Sequence, residues 1–432
     1  MKRKILMLSK MPLVRNASIL VTGTAAAQLV TFSLSPFITR IYGPGAFGVL
    51  AVFMAIVGII TPIAALTYPI SIVLPKSNSE ARGLVRLSLY ITICITLLVS
   101  VILLVFNQFI VRFFQIEDIA SFLYLIPIVI LCSGFLQVVE QWLIRTKQFK
   151  ITAKVTFLQN IIMQSSKIGI GFFYPVAGVL IIFTALGEGI KALMMFFLIR
   201  KTEDKHSNNI AEDQIPIKEL SKKYKDFPLY RAPEVLIDAI SSSLPLILLA
   251  SYFGPNSAGY YSIGGAVLNI PSALIGKSIG DVLYPKISDT ANNDENLTNL
   301  IKKATLVLGS MGIIPFGVLI VFGPWLFSLV FGAEWVTAGE YARWMALWIF
   351  CMFINLPSVK ALPVLSAQSF HLKFTIASLL TRIVALTIGF YVFSDDSIAI
   401  ALFGITGAIL NISLILLTLK KSRNFDSLRM NN

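Results

Sequence analysis

Apolar runs of about 18 or more residues recur along the whole chain, and each is long enough to cross a hydrocarbon layer about 30 Å thick. Inside lipid, every backbone N–H and C=O group must find a partner within the protein, so such runs fold as helices. Only 13% of the 432 residues are charged, whereas soluble domains hold about 25%. The sequence therefore predicts an all-α polytopic membrane protein.

We predict twelve transmembrane helices. They cover residues 17–39, 46–74, 84–106, 120–144, 152–173, 176–199, 231–252, 258–284, 298–323, 339–365, 372–393 and 397–419. Lysine and arginine concentrate in every second loop, and the loops between them are richer in acidic residues such as Glu117, Asp118 and Asp395. Because basic loops stay in the cytoplasm, this pattern places both termini there.

Two pseudo-symmetric lobes of six helices each are predicted from a duplication. The turn at Gly43-Pro44 recurs at Gly254-Pro255, 211 residues later, and each turn precedes a long apolar run. The two runs also close alike, at Pro75 and Pro285. The predicted division is an N-lobe over residues 1–200, a connector with a short amphipathic helix over 201–228, and a C-lobe over 229–432.

Charged residues inside the predicted spans mark candidate functional positions, because ionisable groups in lipid usually face a cavity or a partner. They are Glu140, Lys167, Glu188, Lys191, Glu234, Asp238, Lys277, Asp281, Arg343, Lys360 and Arg382. Glu234 and Asp238 lie one helical turn apart and are candidates for binding a coupling proton or Na⁺; alternatively, Glu234 pairs with Arg231 near the head groups. Glu188 and Lys191, also one turn apart, are expected to neutralise each other.

Composition and motifs argue against several classes of function. The net charge of +14 is spread over alternate loops, which indicates membrane topology rather than nucleic-acid binding. The two histidines, His206 and His371, lie in polar segments and the three cysteines lie in apolar spans, so no metal site is predicted. No nucleotide-binding or hydrolase motif is present, so we predict neither an enzyme nor a cofactor other than a coupling ion.

Several segments of the chain resemble one family. Residues 24–28, 35–44, 47–48, 226–230, 252–255 and 331–335 are similar to segments of O-antigen-type polysaccharide flippases. The chain thus resembles the Wzx-like members of the multidrug/oligosaccharidyl-lipid/polysaccharide exporter superfamily over essentially its whole length.

The resemblance implies a central cavity lined by spans one, two, seven and eight. The implied substrate is an undecaprenyl-pyrophosphate-linked oligosaccharide, which alternating access would move from the inner to the outer leaflet of the bacterial cytoplasmic membrane. Exchange for H⁺ or Na⁺ is the implied energy source, and surface polysaccharide is the implied product. A polysaccharide polymerase and a chain-length regulator are the implied partner proteins.

Basic residues are the candidates for binding the pyrophosphate, because a low-dielectric cavity strengthens their attraction for it. These are Arg40, Lys277, Lys360 and Arg382. Gln28 and Asn269 are candidates for binding sugar hydroxyls, and Tyr68, Tyr260 and Tyr261 for stacking on sugar rings. Two other interpretations stay open: a cation-coupled multidrug exporter of the same superfamily, and a membrane scaffold of polysaccharide assembly that does not transport.

Overall fold

The computed structural model describes residues 12–203, 215–271, 283, 286–291, 293 and 295–430. These residues are largely helical and include no β-strand. The helices are α1 Pro12–Ile60, α2 Tyr68–Ser71, α3 Asn78–Phe114, α4 Ile126–Arg145, α5 Phe149–Gly171, α6 Ala177–Glu203, α7 Ile217–Lys223, α8 Ala232–Phe253, α9 Pro255–Pro271, α10 Leu297–Phe331, α11 Val336–Ile354, α12 Leu356–Ala361, α13 Gln368–Ile388 and α14 Asp396–Met430. Short 3₁₀ or π turns lie at Thr61–Ile63, Glu117–Ile119, Phe122–Leu125, Phe227–Arg231, Ala333–Trp335 and Gly389–Phe393.

Nine stretches among the described residues are long and apolar enough to cross a membrane. They are Thr22–Ile63, Asn78–Phe114, Phe122–Arg145, Ala177–Ile199, Phe227–Phe253, Leu297–Phe331, Ala333–Ala361, Gln368–Phe393 and Asp396–Leu428. This confirms an all-α, multi-pass membrane protein. Predicted spans one and two share the first stretch, span five corresponds to α5, and span eight starts in α9 and runs beyond the described residues. The number twelve and the orientation of the termini stay predictions.

Both Gly-Pro turns of the duplication adopt the same kind of backbone conformation. Gly43 has a φ of 68° and interrupts α1, and Gly254 has a φ of 85° and separates α8 from α9. A side chain would clash in this left-handed region, which favours glycine. A proline follows each glycine at the start of the next helical segment, where its missing N–H needs no partner. The Gly-Pro turn that occurs twice in the sequence therefore has the same kind of conformation at both places.

The chain forms two compact units, one extending to Ile247 and the other beginning at Leu248. In the first unit, α1 packs against α5, and α4 and α5 pack against α6. In the second unit, α11 packs against α9, α10 and α14, and α13 packs against α14. The boundary between these units falls within α8. The predicted lobes instead end at residue 200 and begin at residue 229, and that division stays a prediction.

The predicted amphipathic connector helix is α7, which packs on the first unit. Its Leu220 is 1% exposed and belongs to an apolar cluster with Tyr68 and Leu84. The Tyr68 hydroxyl donates to the carbonyl oxygen of Ser221 at 3.1 Å. Tyr68 is therefore a core residue that supports α7, and its ring has no open face for a sugar.

Arg343, one of the predicted intramembrane charges, stabilises a helix irregularity in the second unit. Pro324 lies inside α10 and has no N–H to bond to the carbonyl of Ile320, four residues earlier. The Nε atom of Arg343, on α11, donates to that carbonyl at 2.8 Å. Arg343 therefore satisfies a backbone oxygen that the proline leaves without its helical partner.

Asp426 on α14 caps the N-terminus of α10. Its carboxylate accepts hydrogen bonds from the backbone N–H of Leu297 at 3.2 Å and of Thr298 at 3.0 Å, and from the Thr298 hydroxyl at 2.7 Å. The first N–H groups of a helix have no partner within the helix, so a buried carboxylate stabilises them.

We expect Asp426→Ala to lower the free energy of unfolding by about 2–3 kcal/mol, because it leaves buried N–H groups unsatisfied. Asp395→Ala is the matched control: among the described residues this exposed carboxylate accepts a hydrogen bond from the Ile398 N–H alone, at 2.8 Å, and its loss should cost about 1 kcal/mol. Thermal unfolding of the purified protein measures both effects. Equal shifts in Tm for the two variants would contradict the prediction.

Candidate functional site

Three predicted polar positions lie on exposed helix faces. These are Gln28 on α1, Asp238 on α8 and Asn269 on α9. Polar side chains in membrane-spanning helices are costly when they face lipid. We therefore expect these three residues to face water-filled space.

Other polar residues of α1 are used to hold α5. The Thr31 hydroxyl donates to the side-chain oxygen of Asn160 at 2.9 Å, and the Tyr42 hydroxyl donates to the carbonyl oxygen of Lys167 at 2.7 Å. On α1, therefore, Gln28 is exposed whereas Thr31 packs α1 against α5. Lys167 itself forms no ion pair with any described residue.

The two coupling-ion candidates on α8 differ in their surroundings. A guanidinium nitrogen of Arg231 lies 2.9 Å from the Glu234 carboxylate, and both side chains are more than half exposed. This is the alternative pairing that the sequence left open. Asp238 forms no ion pair within the described part of the chain, so it stays the candidate of the two.

The predicted neutralisation between Glu188 and Lys191 is only partial. Lys191 interacts electrostatically with Glu188, but its ammonium makes its ion pair with the Glu140 carboxylate on α4, at 2.7 Å. The physical reason is that packing of α4 against α6 brings a carboxylate from another helix to the ammonium. Glu188 consequently lies beyond ion-pair distance of every described cation and shares the Lys191 ammonium with Glu140 only through the longer-range electrostatic interaction.

Arg382 on α13 lies between two aromatic rings. The carbon of its guanidinium is 3.8 Å from the centre of the Trp348 ring on α11 and 4.0 Å from that of the Phe403 ring on α14. Such cation–π contacts each contribute up to about 2 kcal/mol when desolvated. The Nε atom is buried without a hydrogen-bond partner, and the side chain forms no ion pair with any residue that the structure describes.

This arrangement leaves the charge of Arg382 available to an anion. Aromatic rings attract a guanidinium through their electron-rich faces but offer no oxygen for its five N–H donors. Tyr261 is the predicted aromatic residue that neighbours this arginine: it packs on Phe403 and interacts electrostatically with Arg382. Tyr260 instead packs edge-on against Trp335.

The remaining predicted pyrophosphate ligands lie on three other segments of the chain. Arg40 is exposed on α1, three residues before Gly43, in the first unit. Lys360 is half-buried in the last turn of α12. It lies 12 residues beyond Trp348, on the order of 18 Å along helical structure, so it is not brought together with Arg382. Lys277 lies outside the described residues.

No group of three or more His, Cys, Asp or Glu residues that could hold a metal ion occurs in the described ranges. The aromatic partners of Arg382 and the Glu140–Lys191 pair were missed from the sequence. Both depend on contacts between helices that are distant in the chain, and no motif or spacing signals them.

Comparison with family models shows a family, and comparison with solved structures shows a fold. The model of a polysaccharide biosynthesis protein family matches residues 37–340. No curated protein matches the chain. Three solved structures share the fold, and because their identities are between 12% and 15% the likeness extends to the fold alone.

An inward-facing multidrug resistance MATE family transporter of the MOP superfamily is 12% identical with a TM-score of 0.73, covering 94% of this chain and 99% of that one. The lipid II flippase MurJ, in an inward closed conformation, is 15% identical with a TM-score of 0.69, covering 93% and 87%. A MOP superfamily transporter from Pyrococcus furiosus, described as having a binding pocket of reversed polarity, is 13% identical with a TM-score of 0.58, covering 96% and 95%. The narrower resemblance to Wzx-like members stays a prediction.

Proposed function

We propose, from the premise that the chain belongs to the polysaccharide biosynthesis protein family, that it is a flippase for an oligosaccharide linked to undecaprenyl pyrophosphate. The substrate moves from the inner to the outer leaflet of a bacterial inner membrane by alternating access. Exchange for H⁺ or Na⁺ supplies the energy, and the product is used in the synthesis of surface polysaccharide.

The observation that carries this proposal is the partly buried guanidinium of Arg382. A pyrophosphate cannot enter a low-dielectric environment without a compensating cation. Arg382 is such a cation: two aromatic rings fix its position, and no acidic residue within the described ranges neutralises it. A guanidinium also matches phosphate geometry, because its parallel N–H groups donate to two oxygens at once.

The other parts of the substrate need different surroundings. Sugar hydroxyls can exchange hydrogen bonds with exposed amides such as Gln28 and Asn269. The polyprenyl tail is as apolar as the lipid, so it needs no protein site and can remain in the bilayer while the head group crosses.

The multidrug exporter is the second candidate, since one similar structure is a multidrug resistance transporter. The positive charge of Arg382, which no described acidic residue neutralises, would repel a cationic drug. This repulsion argues against export of cationic drugs.

Reconstitution into liposomes distinguishes the two candidates. The lipid-linked oligosaccharide carries a fluorescent label on its sugar, and a membrane-impermeant reductant destroys the label in the outer leaflet only. We expect the fraction of label protected in the inner leaflet to disappear when the protein is present. Unchanged protection, together with gradient-driven uptake of a cationic dye in the same vesicles, would contradict the flippase and favour the exporter.

A further inference from the structure

Three ionisable side chains meet between α4 and α6 in the first unit. The Lys191 ammonium lies 2.7 Å from the Glu140 carboxylate. Glu188 lies one helical turn before Lys191 and interacts electrostatically with both of these groups. Two carboxylates thus share one ammonium, and with all three groups ionised the trio carries a net charge of −1.

The trio lies beside an apolar layer. Leu143 on α4 and Ala192 and Met195 on α6 are fully buried in one cluster that also contains Val155 of α5. An uncompensated charge next to such a layer is unfavourable, because few polar groups replace its lost hydration. One bound proton makes the trio neutral.

No second cation compensates the extra carboxylate within the part of the chain that the structure describes. The groups that face Glu188 are Lys191 on its own helix, and Glu140 and the Cys132 thiol on α4. The elements α1 and α5 also pack against α6, but Lys167 of α5 forms no ion pair with any described residue. A proton is therefore the simplest means of balancing the charge.

The trio also has an exposed edge. The side chains of Lys191 and Glu140 are 20% and 33% exposed. An ion pair exposed to hydrocarbon is costly, so we expect this edge to face water. A proton can enter and leave from that side without crossing the apolar layer.

We propose that Glu188 binds the coupling proton of this transporter, with the Glu140–Lys191 pair as its electrostatic partner. The inference rests on the proposed flippase function. The proton binds to the Glu188 carboxylate from the phase of lower pH and is released from it to the phase of higher pH. No covalent bond between heavy atoms changes.

This assignment differs from the candidates read from the sequence. Glu234 and Asp238 are exposed, and an ion pair with Arg231 already compensates the charge of Glu234. Glu188 is half-buried, and the Lys191 ammonium beside it already pairs with Glu140.

The test compares flipping of the lipid-linked oligosaccharide with and without an imposed pH gradient, in liposomes holding the whole chain. The measured quantity is the ratio of gradient-driven to gradient-free flipping. We expect Glu188→Gln to abolish the effect of the gradient, so that this ratio falls to unity. Asp238→Asn tests the rival candidate, and Glu117→Gln, an exposed acid outside both sites, is the matched control.

A full response to the pH gradient in Glu188→Gln would overturn the proposal. Loss of the response in Asp238→Asn alone, or flipping that follows a Na⁺ gradient at fixed pH, would do the same. If Glu188→Gln does not fold, Glu188→Asp provides the test: it keeps an acid but moves it, so the midpoint of the pH dependence must shift, and an unshifted midpoint overturns the proposal. Absence of any flipping by the unmodified protein would contradict the proposed function instead.

Discussion

Arg382→Gln is expected to lower the rate of flipping by about a hundredfold. Truncating one partner of a buried charged hydrogen bond typically costs about 2–5 kcal/mol, and each 1.4 kcal/mol is about a factor of ten. The proposed contact between the guanidinium and the pyrophosphate is of this kind. The rate is measured in liposomes as the loss of protected sugar label.

The amount of folded protein should change little in this variant. Glutamine loses the cation–π contacts with Trp348 and Phe403, but it also removes a charge from a buried position, which offsets that loss. Arg343→Gln is the matched control, because this arginine lies in a neighbouring helix and donates to the Ile320 carbonyl. That control should lower Tm while the molecules that fold keep their flipping rate.

The variant Arg382→Lys distinguishes the contribution of the positive charge from that of the guanidinium geometry. Lysine keeps the positive charge but loses the paired N–H donors of the guanidinium, so we expect a smaller loss of about tenfold. Flipping by Arg382→Gln at the rate of the unmodified protein would remove the main support for an anionic substrate. A loss of equal size in Arg343→Gln, corrected for folded protein, would show that the effect is not specific to Arg382.

Local features of the structure could be predicted from the sequence. The left-handed turns at Gly43 and Gly254 follow from the Gly-Pro pairs, because few other residues adopt this backbone readily. The Arg231–Glu234 contact is also among the alternatives that the sequence predicts, because residues three apart on a helix are neighbours.

Contacts between helices could not be predicted in the same way. Lys191 has a carboxylate one turn away, yet it pairs with Glu140, which is 51 residues distant in sequence. The rings that hold Arg382 are 34 residues before it and 21 residues after it. Spacing within a helix says which residues share a face, whereas the partner of that face depends on the packing of the whole unit.

Gly339→Ala is expected to lower the free energy of unfolding by about 3 kcal/mol or more, because α10 and α11 cross at two glycines. A Cβ atom on Gly339 would lie 2.5 Å from the carbonyl oxygen of Gly323 and 2.5 Å from the Cα of Pro324. Both are backbone atoms, so no side-chain rotation can relieve the clash and the helices must move apart. Such overpacking typically costs about 1–3 kcal/mol, and a displaced backbone adds to it. Small residues at such crossings are what allow close helix packing in lipid.

The displacement would also reach beyond the crossing. Arg343 lies one turn after Gly339 on α11, so moving α11 away draws its Nε from the Ile320 carbonyl and leaves that oxygen unsatisfied. Gly317→Ala is the matched control: it also lies on α10, but a Cβ there meets nothing within 4 Å, so its effect should stay within about 1 kcal/mol. Thermal unfolding of the two purified variants measures the difference in stability between them. If both alanine variants unfold at the same temperature, the two helices do not depend on close contact at Gly323 and Gly339.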